Sequence, residues 1–137
     1  MKPTLVIGYG NIDRQDDGVA WHVLNRLAQR LSRPALAEIG EGFEQTADYP
    51  HLLFQLQLTP ELAEIIAKYE RVAFVDAHTG SVEGNLHIES IDPSYQASAF
   101  THHMSAQTCL ALAQSLYHRT PEALLLSVRG YQFEFDL

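Results

Sequence analysis

The sequence predicts an α/β fold, a three-layer sandwich with a mostly parallel sheet and helices on both faces. Two observations predict it. Short β-branched and apolar runs recur at residues 4–7, 72–75 and 124–128. Between them lie segments whose apolar residues return every three or four positions, the period of an amphipathic helix. Strand, helix, strand, helix, strand, then a late helix and strand, calls for right-handed crossovers and therefore parallel pairing. No repeat or linker divides the 137 residues, so one domain spanning 1–137 is expected.

The elements follow in order. Residues 4–7 read as a buried strand ended by Gly8. Ala20, Val23, Leu24, Leu27, Ala28 and Leu31 form one helical stripe. Asp16 and Asp17 stand at its start, where carboxylates suit unpaired N–H groups and the positive end of the dipole. Between residues 35 and 58 the glycines and glutamates predict an exposed loop, then a strand in which Leu52, Phe54, Leu56 and Leu58 alternate with their neighbours. Thr59 as N-cap and Pro60 at the first helical position open a helix that buries Leu62, Ile65 and Ile66 and ends near Tyr69. A strand over 72–75 carries Asp76 at its carboxyl end. Leu86, Ile88 and Ile91 mark a further strand, and residues 92–101 a loop. From Ser105 a helix presents Ala106, Cys109, Leu110, Ala113, Leu116 and Tyr117 on one face, and residues 124–128 form the last strand.

Composition narrows the function. A net charge of −8 argues against nucleic acid and against an anionic membrane as partners. The single cysteine, Cys109, forms no internal disulfide, which fits a reducing compartment, and no apolar run approaches a membrane span. The amino terminus lacks the apolar stretch of a signal peptide, so a cytoplasmic location is expected.

Three polar features stand where open α/β sheets bind ligands, beyond the carboxyl ends of their strands. They are the turn Gly8-Tyr9-Gly10-Asn11 with Asp16-Asp17-Gly18, then Asp76, then Thr101-His102-His103-Met104. Each has a plainer explanation. Glycines in such a turn often only permit positive φ, Asp17 alone fits a helix-start carboxylate, and the histidine pair fits a loop or cap. Asp76 resists the plain explanation, because a carboxylate ending a buried strand loses solvation without compensation. Taken together, two carboxylates and an imidazole from three strand-end loops suit a divalent transition ion such as nickel or zinc, with open coordination positions. His22 and His118 are expected on polar helix faces, His87 in a strand, and His51 and His78 in loops, with His78 nearest the site. Cys109 falls on an apolar helix face and reads as core.

The chain also resembles the hydrogenase maturation endopeptidases. Leu5-Val6-Ile7-Gly8-Tyr9-Gly10-Asn11 followed by Asp16-Asp17-Gly18-Val19 is similar to their amino-terminal motif. Gln57-Leu58-Thr59-Pro60-Glu61-Leu62-Ala63-Glu64, Val72-Ala73-Phe74-Val75-Asp76-Ala77, Thr101-His102-His103-Met104-Ser105 and Ser127-Val128-Arg129-Gly130-Tyr131-Gln132-Phe133-Glu134 resemble later blocks, in order along nearly the whole chain.

The resemblance implies a cytoplasmic protease that removes a carboxy-terminal extension from the large-subunit precursor of a nickel–iron hydrogenase once nickel is in place. The implied metal contacts and catalytic residues are Asp17, Asp76 and His102, with His103 as the adjacent competitor. Nickel would arrive with the substrate, and no tightly bound cofactor of the chain's own is implied. Family members usually continue into a further loop and a closing helix, whereas this sequence stops at Phe135-Asp136-Leu137. Uncovered apolar surface, or a contact hiding it, is therefore expected near the carboxy terminus. Two other readings stay open: a non-catalytic relative that binds a metal-bearing partner, and a Rossmann-like nucleotide-binding module motivated by Gly8 and Gly10.

Overall fold

The computed structural model describes residues 2–10, 19–31, 49–78, 86–95 and 104–129. Its elements run β1 (Thr4–Tyr9), α1 (Val19–Arg30), β2 (His51–Gln55), α2 (Leu62–Ile66), β3 (Arg71–His78), β4 (Leu86–Ile91), α3 (Ala106–Tyr117) and β5 (Glu122–Arg129). The five strands form one sheet in the order β2-β1-β3-β5-β4. Every pairing is parallel except that of β4 with β5. The mostly parallel sandwich expected from the sequence is the one observed, with β4 the one antiparallel strand among the described residues.

Alternation along the strands divides the core into two layers. Leu5, Ile7, Val72, Phe74 and Ala123 face α2 and α3, where Leu62, Ala63, Ile66, Cys109, Leu110 and Ala113 meet them. Val6, Leu52, Phe54 and Val75 face α1, where Ala20, Leu24 and Ala28 meet them. The Trp21 ring stands edge-on to Phe54, with centroids 5.0 Å apart, an arrangement aromatic quadrupoles favour. The stripe read along α1 is therefore its core face, except that Leu31 at its end is partly exposed.

Several boundaries differ from the sequence reading. β1 continues through Gly8 to Tyr9, so Gly8 is a strand residue. α1 lies so close that a methyl group at Gly8 would collide with the end of Leu24 and come within 3.3 Å of Ala20. Strand β2 stops at Gln55 and is buried from His51 to Phe54 on both faces, so the alternation expected out to Leu58 is absent. Leu56 is exposed instead. Helix α2 begins at Leu62, not at Pro60, because the preceding turn closes through tighter bonds. Leu62 N–H donates to the Thr59 carbonyl and Ala63 N–H to the Pro60 carbonyl, each at 3.1 Å.

Strand β3 is longer than expected and places Asp76 inside the strand. His51 begins β2 and His78 ends β3, so neither lies in the loop foreseen for it. His51 is buried, and its Nδ1 lies 2.6 Å from the Tyr69 hydroxyl. This bond ties the start of β2 to the turn after α2.

Helix α3 begins as the sequence indicates. The Ser105 side chain caps it by accepting from the Thr108 N–H at 3.1 Å, and His118 ends it in the left-handed conformation. It buries Ala106, Cys109, Leu110 and Ala113, whereas Leu116 and Tyr117 in its last turn reach solvent. Residues 92–95 are fastened to the helix by Ser94 N–H donating to the Gln107 carbonyl and by Tyr95 hydroxyl to Ser115 Oγ at 2.8 Å.

Among the described residues α1 covers β1, β2 and β3 and reaches Leu126 and Val128 of β5, but not the outer edge of the sheet at β4. On that face Leu124 of β5 and Leu86 and Ile88 of β4 are 42%, 53% and 54% exposed. Leu86 and Ile88 mark β4 correctly as a strand, but only Ile91, on the opposite face, enters the core.

The contrast between the covered strands and β4 is measurable by urea unfolding. Gly8→Ala should destabilise the fold by about 1–3 kcal/mol, because the added methyl overpacks a filled contact. Leu86→Thr on β4 should stay within about 0.5 kcal/mol of the parent.

Candidate functional site

The carboxyl edge of the sheet is built by β1 and β3. Their register runs from Thr4 beside Arg71 to Gly8 beside Val75. Carried one residue further, it sets Tyr9 beside Asp76. Leu5 and Ile7 face α2 and α3, so period two turns Tyr9 to that side. Val72 and Phe74 do the same for Asp76. On the other flank Asp76 is the register partner of Ser127, which in turn opposes His87 of β4. A polar row thus crosses four strands at one level. At its outer end the His87 Nε2 lies 2.9 Å from a Glu89 carboxylate oxygen.

Asp76 is half-buried, and the Tyr9 side chain forms a hydrogen bond with it. The Tyr9 ring packs against the layer below α3, so its hydroxyl sits in the interior although the residue as a whole retains some exposure. Burial, followed by the charge of Asp76 and the hydrogen bond to it, raises the Tyr9 phenol well above its ordinary range. Tyr9 therefore keeps its proton and donates it to the carboxylate. That donation offsets part of the solvation Asp76 loses in the sheet.

Beneath this pair lies sulfur. Cys109 is fully buried, and its thiol donates to the Met104 sulfur at 3.4 Å. Burial pushes the Cys109 thiol from 9.0 up to about 12. A thiol held protonated in this way is no nucleophile, and the expectation that Cys109 belongs to the core holds.

Of the three sequence-predicted site residues, Asp76 is placed by the structure at this edge. Asp17 and His102, with the competitor His103, lie outside the described residues, as does the side chain of His78. Among the described residues no three His, Cys, Asp or Glu side chains gather as a metal site. Tyr9 was given no role by sequence reasoning. Its signal was present: Leu5, Ile7 and Tyr9 share the period of Val72, Phe74 and Asp76, so a phenol and a carboxylate end the same buried face.

Gly8 is accounted for by the approach of α1, and Gly10 by a φ of 146°, which favours glycine. A cavity of about 740 Å³ lies at the opposite, amino edge of the sheet, lined in part by Thr4, Arg71, Asp92 and Glu122. Arg71 and Glu122 there are 3.7 Å apart and solvent-exposed, so their charges are paired and screened, and nothing strains them toward chemistry.

No family model matches the chain, and no curated protein matches it. Solved structures do. An endopeptidase from Escherichia coli, known in solution, is 18% identical and superposes with a TM-score of 0.59 over 95% of this chain and 75% of its own. The [NiFe] hydrogenase maturation protease HybD from Thermococcus kodakarensis is 17% identical, with a TM-score of 0.56 over 95% and 81%. The [NiFe] hydrogenase maturation protease HycI from Thermococcus kodakarensis KOD1 is 21% identical, with a TM-score of 0.54 over 93% and 74%. This chain has the fold of the hydrogenase maturation proteases. In this chain Tyr9 and Asp76 stand at the carboxyl edge of that fold. No helix among the described residues is long and apolar enough to cross a membrane.

The raised thiol has a consequence for stability. Its folded form favours the protonated state, so its contribution is complete below pH 9 and is lost as pH rises toward 12. The window is worth at most about 4 kcal/mol. Chemical unfolding from pH 8 to pH 11 should show stability falling with pH, and Cys109→Ala should make that slope shallower. An unchanged slope would mean that the thiol does not titrate with unfolding.

Proposed function

We propose that the chain is an endopeptidase that removes the carboxy-terminal extension of a nickel-loaded hydrogenase large subunit, acting in the cytoplasm. The observation that carries this reading is a half-buried carboxylate, Asp76, at the carboxyl edge of a sheet with the maturation-protease fold. In this reading Asp17, Asp76 and His102 contact a nickel ion that belongs to the substrate. Two carboxylates and an imidazole are donors of intermediate softness, which nickel accepts.

Support comes from what flanks the two residues outside the described segments. Asp17 precedes α1 by two residues, and His102 precedes Met104 by two. Two residues of chain reach at most about 7 Å. Helix α1 starts over β1, and Met104 touches Cys109 under the Tyr9–Asp76 pair. An ion held there by Asp17, Asp76 and His102 would supply Lewis-acid polarisation of the scissile carbonyl or a water of lowered pKa. Neither Ser127 nor buried Cys109 is needed as a nucleophile. The acidic surface, at net charge −8, suits a protein precursor and not nucleic acid.

Cleavage of a nickel-loaded precursor tests this directly, followed by the size of the large subunit on a gel. Asp17→Asn, Asp76→Asn and His102→Ala should each slow processing by about 10²- to 10³-fold, the cost of losing a group that stabilises developing charge. His103→Ala should process normally. Normal processing by the other three variants would remove the proposed site, and loss in His103→Ala with full activity in His102→Ala would exchange the two histidines. Binding of the loaded precursor without any cleavage by the parent chain would favour the non-catalytic reading.

A further inference from the structure

We propose that Tyr9 is a positioning residue for Asp76, holding the carboxylate at the sheet edge in one orientation toward a substrate-borne cation. The inference rests on the reading of Asp76 as a metal contact and assigns a role to a residue outside that contact set.

The backbone brings the two side chains together. β1 and β3 are adjacent and parallel, and the register that sets Gly8 beside Val75 places Tyr9 next to Asp76 on the α3 side. The phenol and the carboxylate are joined by a hydrogen bond. A terminal carboxylate torsion is broad and roughly two-fold, so an unrestrained Asp samples many orientations. A phenol differs from a water as a partner, because its ring is fixed at the other end. Here that ring packs against the core layer built by β1, β3 and α3. The hydroxyl is therefore a donor at a set position, and it restricts Asp76 to orientations that accept from it.

The floor under Tyr9 is rigid as well. Cys109 lies close to Tyr9, and it is itself fully buried and bonded to Met104. Met104 begins the segment leading into α3, whose N-cap Ser105 is anchored on Thr108. Partners that orient a ligating carboxylate without touching the ion govern both affinity and reactivity.

The test is a double-mutant cycle on metal affinity, with Cd²⁺ or Ni²⁺ alone as the probe in calorimetric titrations of the full chain. Tyr9→Phe keeps the ring and deletes only the hydroxyl. It should weaken metal binding by about 10- to 100-fold, the range for loss of an outer-sphere partner, while circular dichroism stays that of the parent. In the Asp76→Asn background the same change should have no further effect, because the carboxylate it orients is gone. Tyr117→Phe, which removes an exposed phenol on α3, should bind as the parent does. Parent-like affinity in Tyr9→Phe, or losses that simply add in the double variant, would overturn the proposal.

A metal-free readout separates this proposal from the function it rests on. In protein labelled with carbon-13 at aspartate carboxyls, the Asp76 resonance should shift in Tyr9→Phe without any metal present. If the parent chain binds no metal, the ligand set fails, and the carboxyl resonance alone decides the pairing. A resonance that does not move would overturn the proposal whatever the metal titrations give.

Discussion

The register of β1 against β3 is the constraint on which the rest of the molecule depends. With Gly8 beside Val75, every side chain of the two central strands is assigned to a layer. Leu5, Ile7, Val72 and Phe74 go to the α2 and α3 side, Val6 and Val75 to the α1 side. A slip of one residue would exchange the two sets. It would also separate Tyr9 from Asp76 and set a side chain where α1 needs the bare backbone of Gly8. The same contact that lets the helix lie close to the sheet thus fixes where the Asp76 carboxylate emerges.

The two faces are held to different standards. Below α2 and α3 the packing is continuous, from Leu58 through Phe74 to Leu110, and it ends at the edge in a phenol, a carboxylate and a buried thiol. On the α1 side the described packing reaches Leu126 and Val128 of β5, whereas Leu86, Ile88 and Leu124 meet solvent. Stability should therefore be concentrated in β1, β3 and the helices against them. A polar group tolerated at the edge of that packed half has its neighbours fixed, and such fixed surroundings are what a carboxylate needs to act with a set orientation.

Much of the architecture was legible in the sequence because buried parallel strands read as continuous apolar runs and their crossover helices as stripes. The runs at 4–7, 72–75 and 124–128 all became strands, and the stripe from Ala20 to Ala28 became a core face. The errors have physical causes. β2 is buried on both faces, so its residues carry no alternation and its end at Gln55 was hidden among leucines. Leu116 and Tyr117 share a helical face with Cys109 but are exposed at the end of α3. Asp76 was recognised because a charge at the end of an apolar run is conspicuous. Tyr9 was not, because an aromatic among glycines reads as part of a turn. Its partner is 67 positions away in the sequence, and only strand pairing brings the two together. Asp17 and His102 were read from their places in strand-end loops and from the motif resemblance, and both lie outside the described residues.

The central claim is that Asp76, held by Tyr9, offers its carboxylate to a metal ion at the carboxyl edge of the sheet. Anomalous scattering from crystals soaked in a cadmium salt tests it most directly. The account predicts a peak at that edge with an Asp76 oxygen as a ligand, Asp17 and His102 completing the set, and the Tyr9 hydroxyl still bonded to Asp76. Cadmium bound only elsewhere, with the Asp76 carboxylate turned away from every site, would contradict it.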